Sequence, residues 1–304
     1  MRVCAGRRAA RGVWGGLGLW LVLASVPAWG GEVRDMLDRH VAVLDRPLRI
    51  VSLAPSLTET VYALGAGDRL VGVTDYCDYP ADAVTKPRVG GIYTPSLEGI
   101  VALRPDLILA TTEGNRQEHI EALERLRIPI YVVRPLDFAT VLESIERVGR
   151  LLGGEGAGRV VDAMRREADT IACRVGSRPR PRVLYVLWGN PLIVPGRDTL
   201  ITDLIRRAGG ESVSGNEHLP YPRWSMEESV ARRPELVVLG QHGEASVDQR
   251  LREWQHLMLL PAVRQGRVQQ IDGNLLHRPG PRIVEGLRLL ARMFHPEVAQ
   301  RAVP

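Results

Sequence analysis

Residues 96–110 read SLEGIVALRPDLILA, and residues 225–239 read SMEESVARRPELVVL. Aligned without a gap, the two stretches share seven residues: Ser96/Ser225, Glu98/Glu227, Val101/Val230, Ala102/Ala231, Arg104/Arg233, Pro105/Pro234 and Leu107/Leu236. In each stretch Ser suits the N-cap of a short helix, Glu suits its first turn, and Pro ends the helix before an apolar strand. The alternative is that these are two ordinary helix-to-strand junctions with similar caps. However, seven identical residues are more than capping requires. Because the copies start 129 residues apart, they do not form a short-period solenoid, and they predict one such unit in each of two lobes.

The first thirty residues have the organisation of a secretory signal peptide. A cluster of arginines precedes the apolar segment 13–26, and Ala28 and Gly30 suit the −3 and −1 positions of a cleavage site. We therefore expect residues 1–30 to be removed near Gly30. Four arginines leave with that peptide, so the formal charge of +5 falls to about +1 in the mature chain.

Composition excludes several classes of function. The mature chain has no basic tract interleaved with aromatic residues, so we expect no nucleic-acid partner. It has no CxxC, HExxH or histidine-rich run, so we expect neither a metal site nor a cofactor. Cys77 and Cys173 are the cysteines outside the signal peptide, and whether they pair stays open at this point.

Apolar runs alternate with helical patterns along the mature chain, which indicates a mostly parallel α/β fold. Strands are predicted at residues 48–53, 70–74, 107–110, 130–133, 183–187, 236–239 and 268–271. Between the two series, residues 157–175 form one long helical pattern. The prediction is two Rossmann-like α/β lobes, at residues 31–153 and 179–304, bridged by a single long helix within residues 154–178. The alternative is one continuous doubly wound sheet.

Half of the twelve aromatic residues of the mature chain fall in long loops or just after a predicted strand: Tyr76, Tyr79, Tyr93, Trp188, Tyr221 and Trp224. Ligands of parallel α/β proteins bind at the carboxyl ends of the strands, so these side chains predict an apolar binding surface. The alternative is that some of them fill small cores beneath their loops. Arg278 and Arg282 frame a Pro-Gly-Pro turn and could hold a carboxylate, phosphate or amide, or could pack at the start of a helix.

A catalytic site is not expected. Cys77 lies between Asp75 and Asp78, but no histidine is near in sequence, and Asp78-Tyr79-Pro80 reads as a turn. No set of nucleophile, base and orienting residue can be assembled. A secreted α/β enzyme remains the hypothesis from a different class.

Several motifs resemble those of the helical-backbone (class III) periplasmic binding proteins. Within that family, the resemblance is strongest to the cobalamin receptors. The resemblance covers roughly residues 47–295. It rests on IVSLAPSLTE at 50–59, VGVT at 71–74, DYP at 78–80, Gly90-Gly91, Ser96-Leu97-Glu98, RPDL at 104–107 and RPGPR at 278–282. The family serves ABC importers of cobalamin, haem and ferric siderophores.

This resemblance implies a periplasmic, monomeric receptor that holds its ligand between two lobes joined by a rigid helix, and passes it to a membrane ABC permease–ATPase complex. It implies that Glu98 and Glu227 pair with permease arginines, one from each lobe. It also implies that Tyr79, Trp188 and Tyr221 line the cleft, beside Arg278. Tyr93 and Trp224 join this set as loop aromatics.

The ligand expected from the resemblance is cobalamin, a related corrinoid or a similar large metal chelate. Two tryptophans of cobalamin receptors have no counterpart near Ile92-Tyr93 and Thr111-Thr112, and the family's C-lobe disulfide is absent. Haem or a ferric siderophore therefore remains the alternative. Tyr79, Tyr93 or His277 could ligate haem iron, and Arg223, Arg278 and Arg282 could hold an anionic siderophore.

Overall fold

The computed structural model describes residues 29–154, 156–241 and 246–299. The predicted signal peptide lies outside these residues, apart from positions 29 and 30. Among the described residues, no helix is both long enough and apolar enough to cross a bilayer.

The described chain opens with an antiparallel hairpin that the sequence pattern did not predict. Strand β1 (Trp29–Arg34) pairs with β2 (His40–Leu44). The Asp35 carboxylate holds the turn, accepting the Leu37 and Arg39 amides at 2.8 and 3.0 Å. The sequence does not indicate this hairpin, because β1 contains two glycines and lacks the alternation of apolar and polar residues that marks a half-buried strand.

The N-terminal lobe is built on a four-stranded parallel sheet in the order β4-β3-β5-β6. Its elements are β3 (Ile50–Ser52), α1 (Pro55–Ala63), β4 (Leu70–Val73), α2 (Leu97–Ala102), β5 (Leu107–Thr111), α3 (Gln117–Arg125), β6 (Ile130–Val133) and α4 (Phe138–Leu151). Strands β3, β5 and β6 are buried along their whole length. This burial on both faces explains why they read as unbroken apolar runs.

The C-terminal lobe repeats the arrangement with the order β10-β7-β11-β12, again all parallel. Its elements are α5 (Gly156–Val175), β7 (Arg182–Val186), β8 (Trp188–Gly189), β9 (Leu192–Ile193), α6 (Leu200–Arg207), β10 (Glu211–Ser212), α7 (Met226–Ala231), β11 (Leu236–Gln241), α8 (Val247–Glu253), α9 (Pro261–Arg264), β12 (Val268–Asp272), α10 (Ile283–Phe294) and α11 (Pro296–Ala299). In both main sheets the first strand lies between the second and the third, and the fourth follows the third. The two-lobe α/β prediction is confirmed, and the alternative of one continuous sheet is wrong.

Helix α5 connects the lobes as predicted. It has 20 residues and spans about 30 Å. The face that it buries follows helical spacing and consists of Ala157, Val161, Met164, Ala168, Ile171 and Val175. It packs against α4 of the first lobe and against α6 and α10 of the second. The residue limits predicted for the lobes remain a prediction.

Helix α4 adds a second connection that the sequence did not reveal. Its residues Phe138, Val141 and Ile145 belong to the same hydrophobic core as Leu204 and Leu287 of the C-terminal lobe. At its first turn, the Phe138 amide donates to the Asp203 carboxylate of α6 at 3.0 Å. The lobes are therefore joined through two packed helices.

The repeated stretch occupies the same place in each lobe, as a short helix leading into the third strand. Ser96 caps α2 and Ser225 caps α7, each hydroxyl accepting the backbone amide three residues on. Arg104 and Arg233 end the two helices with left-handed backbone, at φ of 45° and 48°. The shared cap and stop predicted from the sequence are thus present, with an arginine completing each stop.

Each repeat is tied to the first strand of its sheet by an arginine that lies outside the repeat. Arg49 donates to the Leu103 carbonyl at 2.6 Å, and Arg182 donates to the Arg232 carbonyl at 2.7 Å. Both carbonyls lie at the C-cap of their helix. These bonds satisfy acceptors that a helix end leaves open.

The two cysteines are not paired. Cys77 is buried and Cys173 is exposed on α5. The Cys77 sulfur contacts the hydroxyls of Thr58 and Thr74 at 3.2 and 3.1 Å. Burial, opposed by these contacts, raises the pKa of the Cys77 thiol. A buried thiol with a raised pKa is a poor nucleophile.

Candidate ligand-binding cleft

The loops that follow the carboxyl ends of both sheets meet between the lobes. The turn Arg278–Arg282, after β12, lies against α1 and against the loop after β4. At its centre, a Cβ on Gly280 would lie 3.0 Å from the Ser56 carbonyl oxygen. The loops that carry the predicted cleft aromatics leave the same two strand edges, so the candidate site is this inter-lobe cleft.

Two arginines of the C-terminal lobe surround one carboxylate of the N-terminal lobe. Glu59, 2 % exposed, accepts from Arg282 Nε at 2.9 Å and Arg282 Nη2 at 3.1 Å, and from Arg278 Nη1 at 3.3 Å. Arg278 Nη2 also donates to Asp78 Oδ2 at 3.1 Å. The hydrogen bond from Arg278 is the main reason that the pKa of Asp78 is lowered. Two cations and two anions make the group electrically neutral.

This ion-pair group changes the expectation for Arg278. Its side chain is only 11 % exposed and is committed to Asp78 and Glu59. The Arg282 guanidinium lies 4.0 Å from the centre of the Tyr79 ring, a cation–π arrangement. Both arginines thus join the lobes, and Arg282 also supports an aromatic side chain. Whether Arg278 also touches ligand stays a prediction.

The structure places five of the six predicted loop aromatics on the surface: Tyr76, Tyr79, Tyr93, Trp188 and Tyr221. Trp188 is 53 % exposed, and its indole N–H donates to the Asn190 carbonyl at 2.8 Å. Behind it lies the buried Trp254, with ring centres 6.4 Å apart. Large exposed aromatics supported by a rigid base are typical of a binding surface for an apolar ligand.

Trp224 does not join this exposed surface. It is 7 % exposed and packs in a C-lobe core with Val213 and Leu239, while Arg232 covers its ring at 5.2 Å. Its position in a loop predicted that the Trp224 side chain would be exposed. Instead the Trp224 backbone amide donates to the Leu192 carbonyl, and the side chain is buried beneath the loop. The alternative raised for single aromatics, filling a small core under a loop, describes Trp224.

A second contact between the lobes involves Glu113, which the sequence did not single out. Glu113 follows β5 and interacts with Tyr221 of the other lobe. Crowding by the surrounding protein raises the pKa of Glu113 although the residue keeps solvent access, and Arg134 and the Tyr221 hydroxyl oppose that rise. Crowding of the Tyr221 hydroxyl by the surrounding protein, and then Glu113, raise the pKa of Tyr221 to about 12, although the residue is 43 % exposed. At neutral pH the Tyr221 phenol is therefore protonated and can donate to the carboxylate.

Three acidic residues of the cleft, Glu59, Asp78 and Glu113, could not be assigned from sequence. Glu59 and Asp78 lie 219 and 200 residues from Arg278, and nothing local marks them as its partners. For Glu59, the only hint was its place in the LAPSLTE motif. Among the described residues, no group of three or more His, Cys, Asp or Glu side chains is arranged to hold a metal ion.

Glu98 and Glu227, the predicted docking residues, are both exposed in the first turn of their helices. Hydrogen bonds from its own backbone amide and from Ser225 lower the pKa of Glu227. Neither carboxylate forms an ion pair within the described parts of the chain. Both are free to meet a partner.

A cavity of about 260 Å³ lies elsewhere, between the β1-β2 hairpin and α4. Arg34, Tyr131, Arg147 and Arg150 are among the residues that line it. None of the predicted cleft residues borders this cavity, so it is separate from the candidate site.

Comparison with known proteins yields concordant similarities. The sequence profile of the family described as periplasmic binding protein matches residues 50–275. The chain is 30% identical over 240 residues to a vitamin B12-binding protein of Vibrio parahaemolyticus, covering 79% of this chain and 86% of that one.

Solved structures give the same fold. The periplasmic vitamin B12 binding protein BtuF of Vibrio cholerae superposes with a TM-score of 0.73 at 27% identity, covering 84% of this chain and 99% of the other. A periplasmic heme binding protein from Pseudomonas aeruginosa superposes with a TM-score of 0.73 at 31% identity, covering 82% and 93%. Both corrinoid- and haem-binding relatives therefore share this architecture.

Proposed function

The chain belongs to the periplasmic binding protein family, and on that premise we propose that it captures cobalamin or a related corrinoid between its lobes and delivers it to an ABC importer. It acts as a monomeric binding protein in the periplasm, without catalysis, once residues 1–30 have been removed. The vitamin B12-binding relatives, similar over most of their length, support this ligand class.

The observation that carries the proposal is an exposed aromatic surface beside neutralised arginines. Tyr79, Tyr93, Trp188 and Tyr221 present large apolar faces. Arg278 and Arg282, the cations best placed to attract an anion, are already paired with Glu59 and Asp78. Such a cleft suits a bulky ligand whose rim carries amides more than one whose rim carries carboxylates.

Haem is the second candidate. The 31% identity to a heme binding protein favours it, as do the exposed phenols of Tyr79 and Tyr93. An anionic ferric siderophore is less well supported, because of the three arginines considered for it only Arg223 makes no ion pair among the described residues. The pairing of Arg278 and Arg282 within the cleft therefore favours a corrinoid over an anionic siderophore.

Calorimetric titration of the purified protein tests the ligand. We expect saturable binding of cyanocobalamin, weaker binding of haemin and none of an anionic ferric siderophore. Trp188→Ala should weaken corrinoid binding about tenfold or more, because the lost aromatic burial is of the order of 1.4 kcal/mol or larger. Leu48→Ala is the control, because Leu48 is similarly exposed but lies before β3, at the amino ends of the strands and away from the cleft. It should leave the affinity for corrinoid unchanged. Micromolar binding of haemin with none of cyanocobalamin would contradict the proposal.

Delivery is tested through the two glutamates. Replacing Glu98 and Glu227 with Ala should leave ligand affinity unchanged and abolish uptake by the importer. A collapse of ligand affinity would instead place these residues in the cleft.

A further inference from the structure

The two copies of the repeat agree on their surface and differ in their interior. Across the fifteen aligned positions, five are exposed in both lobes, and all five carry the same residue: Ser96/Ser225, Glu98/Glu227, Val101/Val230, Ala102/Ala231 and Arg104/Arg233. The eight positions that differ are all buried or half-buried in at least one lobe. One example is the buried Ile100, which is aligned with the buried Ser229. Repeats held together by folding alone would show the reverse, since packing restricts the core most.

Folding explains only part of this surface identity. Both serines cap their helices, so their identity needs no partner. The valines are 41 % and 37 % exposed, although a polar residue would suit solvent better. The arginines have left-handed backbone, which glycine or asparagine adopts more readily.

The arginine side chains are also uncommitted. Neither the Arg104 nor the Arg233 guanidinium makes a hydrogen bond or an ion pair with any residue that the structure describes. Two free guanidinium groups at equivalent strained positions are not accounted for by the stability of either lobe.

We propose that Val101 and Arg104 in one lobe, and Val230 and Arg233 in the other, extend the docking contact expected of Glu98 and Glu227 into a Glu–Val–Arg surface on each lobe. Its partner is the permease named in the proposed function, on which this inference rests. In each of its halves that permease presents a cation to the glutamate, an apolar patch to the valine and an acidic side chain to the arginine.

The geometry of a short helix supports a two-charge contact. Glu98 and Val101 are three residues apart and share a face. Arg104 lies at the other end of the helix, about 9 Å farther along its axis. The same holds for Glu227, Val230 and Arg233. Because each helix has a glutamate at one end and an arginine at the other, the permease surface that it meets must carry a cation and then an anion. This fixes the orientation of the helix on that surface as well as contributing to affinity.

Binding of the ligand-loaded receptor to the permease–ATPase complex of the same bacterium, reconstituted in liposomes, tests the inference. Charge reversal by Arg104→Glu or Arg233→Glu should each weaken docking about tenfold, and the double variant should weaken it further. Arg127→Glu is the matched control, because Arg127 is also exposed with left-handed backbone, at φ 59°, but lies outside the repeat. It should dock as the unaltered receptor does.

A second double variant, Arg104→Gly with Arg233→Gly, separates docking from folding. Glycine suits the left-handed backbone, so the melting temperature should hold or rise while docking weakens. Cyanocobalamin affinity should stay unchanged in every variant. Normal docking of the arginine variants, with loss of docking only on replacing Glu98 and Glu227, would overturn the inference and leave the proposed function intact. Normal docking of the glutamate variants as well would overturn both the inference and the docking role expected of Glu98 and Glu227.

Discussion

At the scale of single residues, the centre of the cleft depends on one buried carboxylate. Glu59 has almost no contact with solvent and is neutralised by Arg278 and Arg282 from the opposite lobe. A buried charge is tolerated only while its partners remain, and its isolation is more costly than the pair is favourable. The group therefore fixes how the lobes meet more than it stabilises them.

Arg282→Met should lower the free energy of unfolding by about 2 kcal/mol, less than full isolation of a buried charge because Arg278 remains. Adding Glu59→Gln to that variant should restore part of the loss, since no buried charge is then left unpaired. Urea unfolding measures both. Arg197→Met, which breaks an exposed pair with Asp198, is the control and should cost under about 0.5 kcal/mol. If Arg282→Met lowered the free energy of unfolding by the same amount with and without Glu59→Gln, this account of Glu59 would be contradicted.

Glu113→Gln should strengthen haemin binding several-fold and leave cyanocobalamin binding unchanged. The reason is that the Glu113 carboxylate, crowded by protein, repels the two carboxylates of haem, whereas an amide does not. Glu118→Gln, an exposed change on α3, is the control. Equal weakening of both ligands would instead mean that Glu113 acts by orienting Tyr221.

Residue roles were predictable only where the sequence neighbourhood carries the signal. Loop position located Tyr79, Tyr93, Trp188 and Tyr221 correctly on the surface. It failed for Trp224, because the depth of a loop residue depends on strand pairing farther along the chain. The partners of Arg278 were invisible for a similar reason, since a three-dimensional fold brings them together across 200 residues.

At the scale of elements, α4 is held at its start by two carboxylates from different lobes. Asp137 of the N-terminal lobe caps the helix by accepting the Thr140 amide, and Asp203 of α6 accepts the Phe138 amide. Burial pushes the pKa of Asp203 up, but hydrogen bonds from Arg207, the Phe138 amide and Arg206 outweigh it, and the pKa is lowered. This carboxylate is one link between the lobes that responds to pH.

Asp203→Asn should lower the free energy of unfolding by about 1 kcal/mol at pH 7, because an amide can still accept the Phe138 N–H but cannot pair with the arginines. Since the folded-state pKa lies below the ordinary value of 3.8, the charged form stabilises the fold above about pH 4. That stabilisation is lost as the pH falls through the folded-state pKa. Urea unfolding at a series of pH values should therefore show the difference between the two proteins shrinking towards pH 3. A constant difference would contradict the role given to the charge.

Elements were predictable from sequence in proportion to their length and burial. Seven strands of the two main sheets appear within about two residues of their predicted limits. Six of them are mainly buried and read as apolar runs, whereas β12 is largely half-buried or exposed. The strands β8, β9 and β10 have two residues each, too short to leave a pattern. The place of α4 in the second core depends on tertiary packing, which periodicity does not report.

At the scale of the whole molecule, two helices restrict movement of the lobes. Helix α5 is continuous across the junction, and α4 packs in the core of the opposite lobe. Bending a continuous helix breaks its backbone hydrogen bonds, and moving α4 would open a packed core. We therefore expect ligand capture to involve little closure of the lobes.

The radius of gyration from small-angle X-ray scattering should be unchanged when cyanocobalamin saturates the protein. Exchange of the core amides of α4 with deuterium should also be unchanged, since that helix does not move. A clear decrease of the radius on ligand binding would show hinge closure and contradict the role given to α4 and α5.

The matching outer surfaces of the repeat have a consequence for encounter kinetics. In the docking proposed above, the receptor presents the same Glu–Val–Arg side chains to each half of the permease when its two lobes are exchanged. A permease made of two equal halves can then accept it in either of two orientations, which doubles the productive fraction of collisions. In the proposed complex the ligand lies between these two surfaces, so it faces the same permease opening in either orientation, and the asymmetry of the ligand does not restrict the approach.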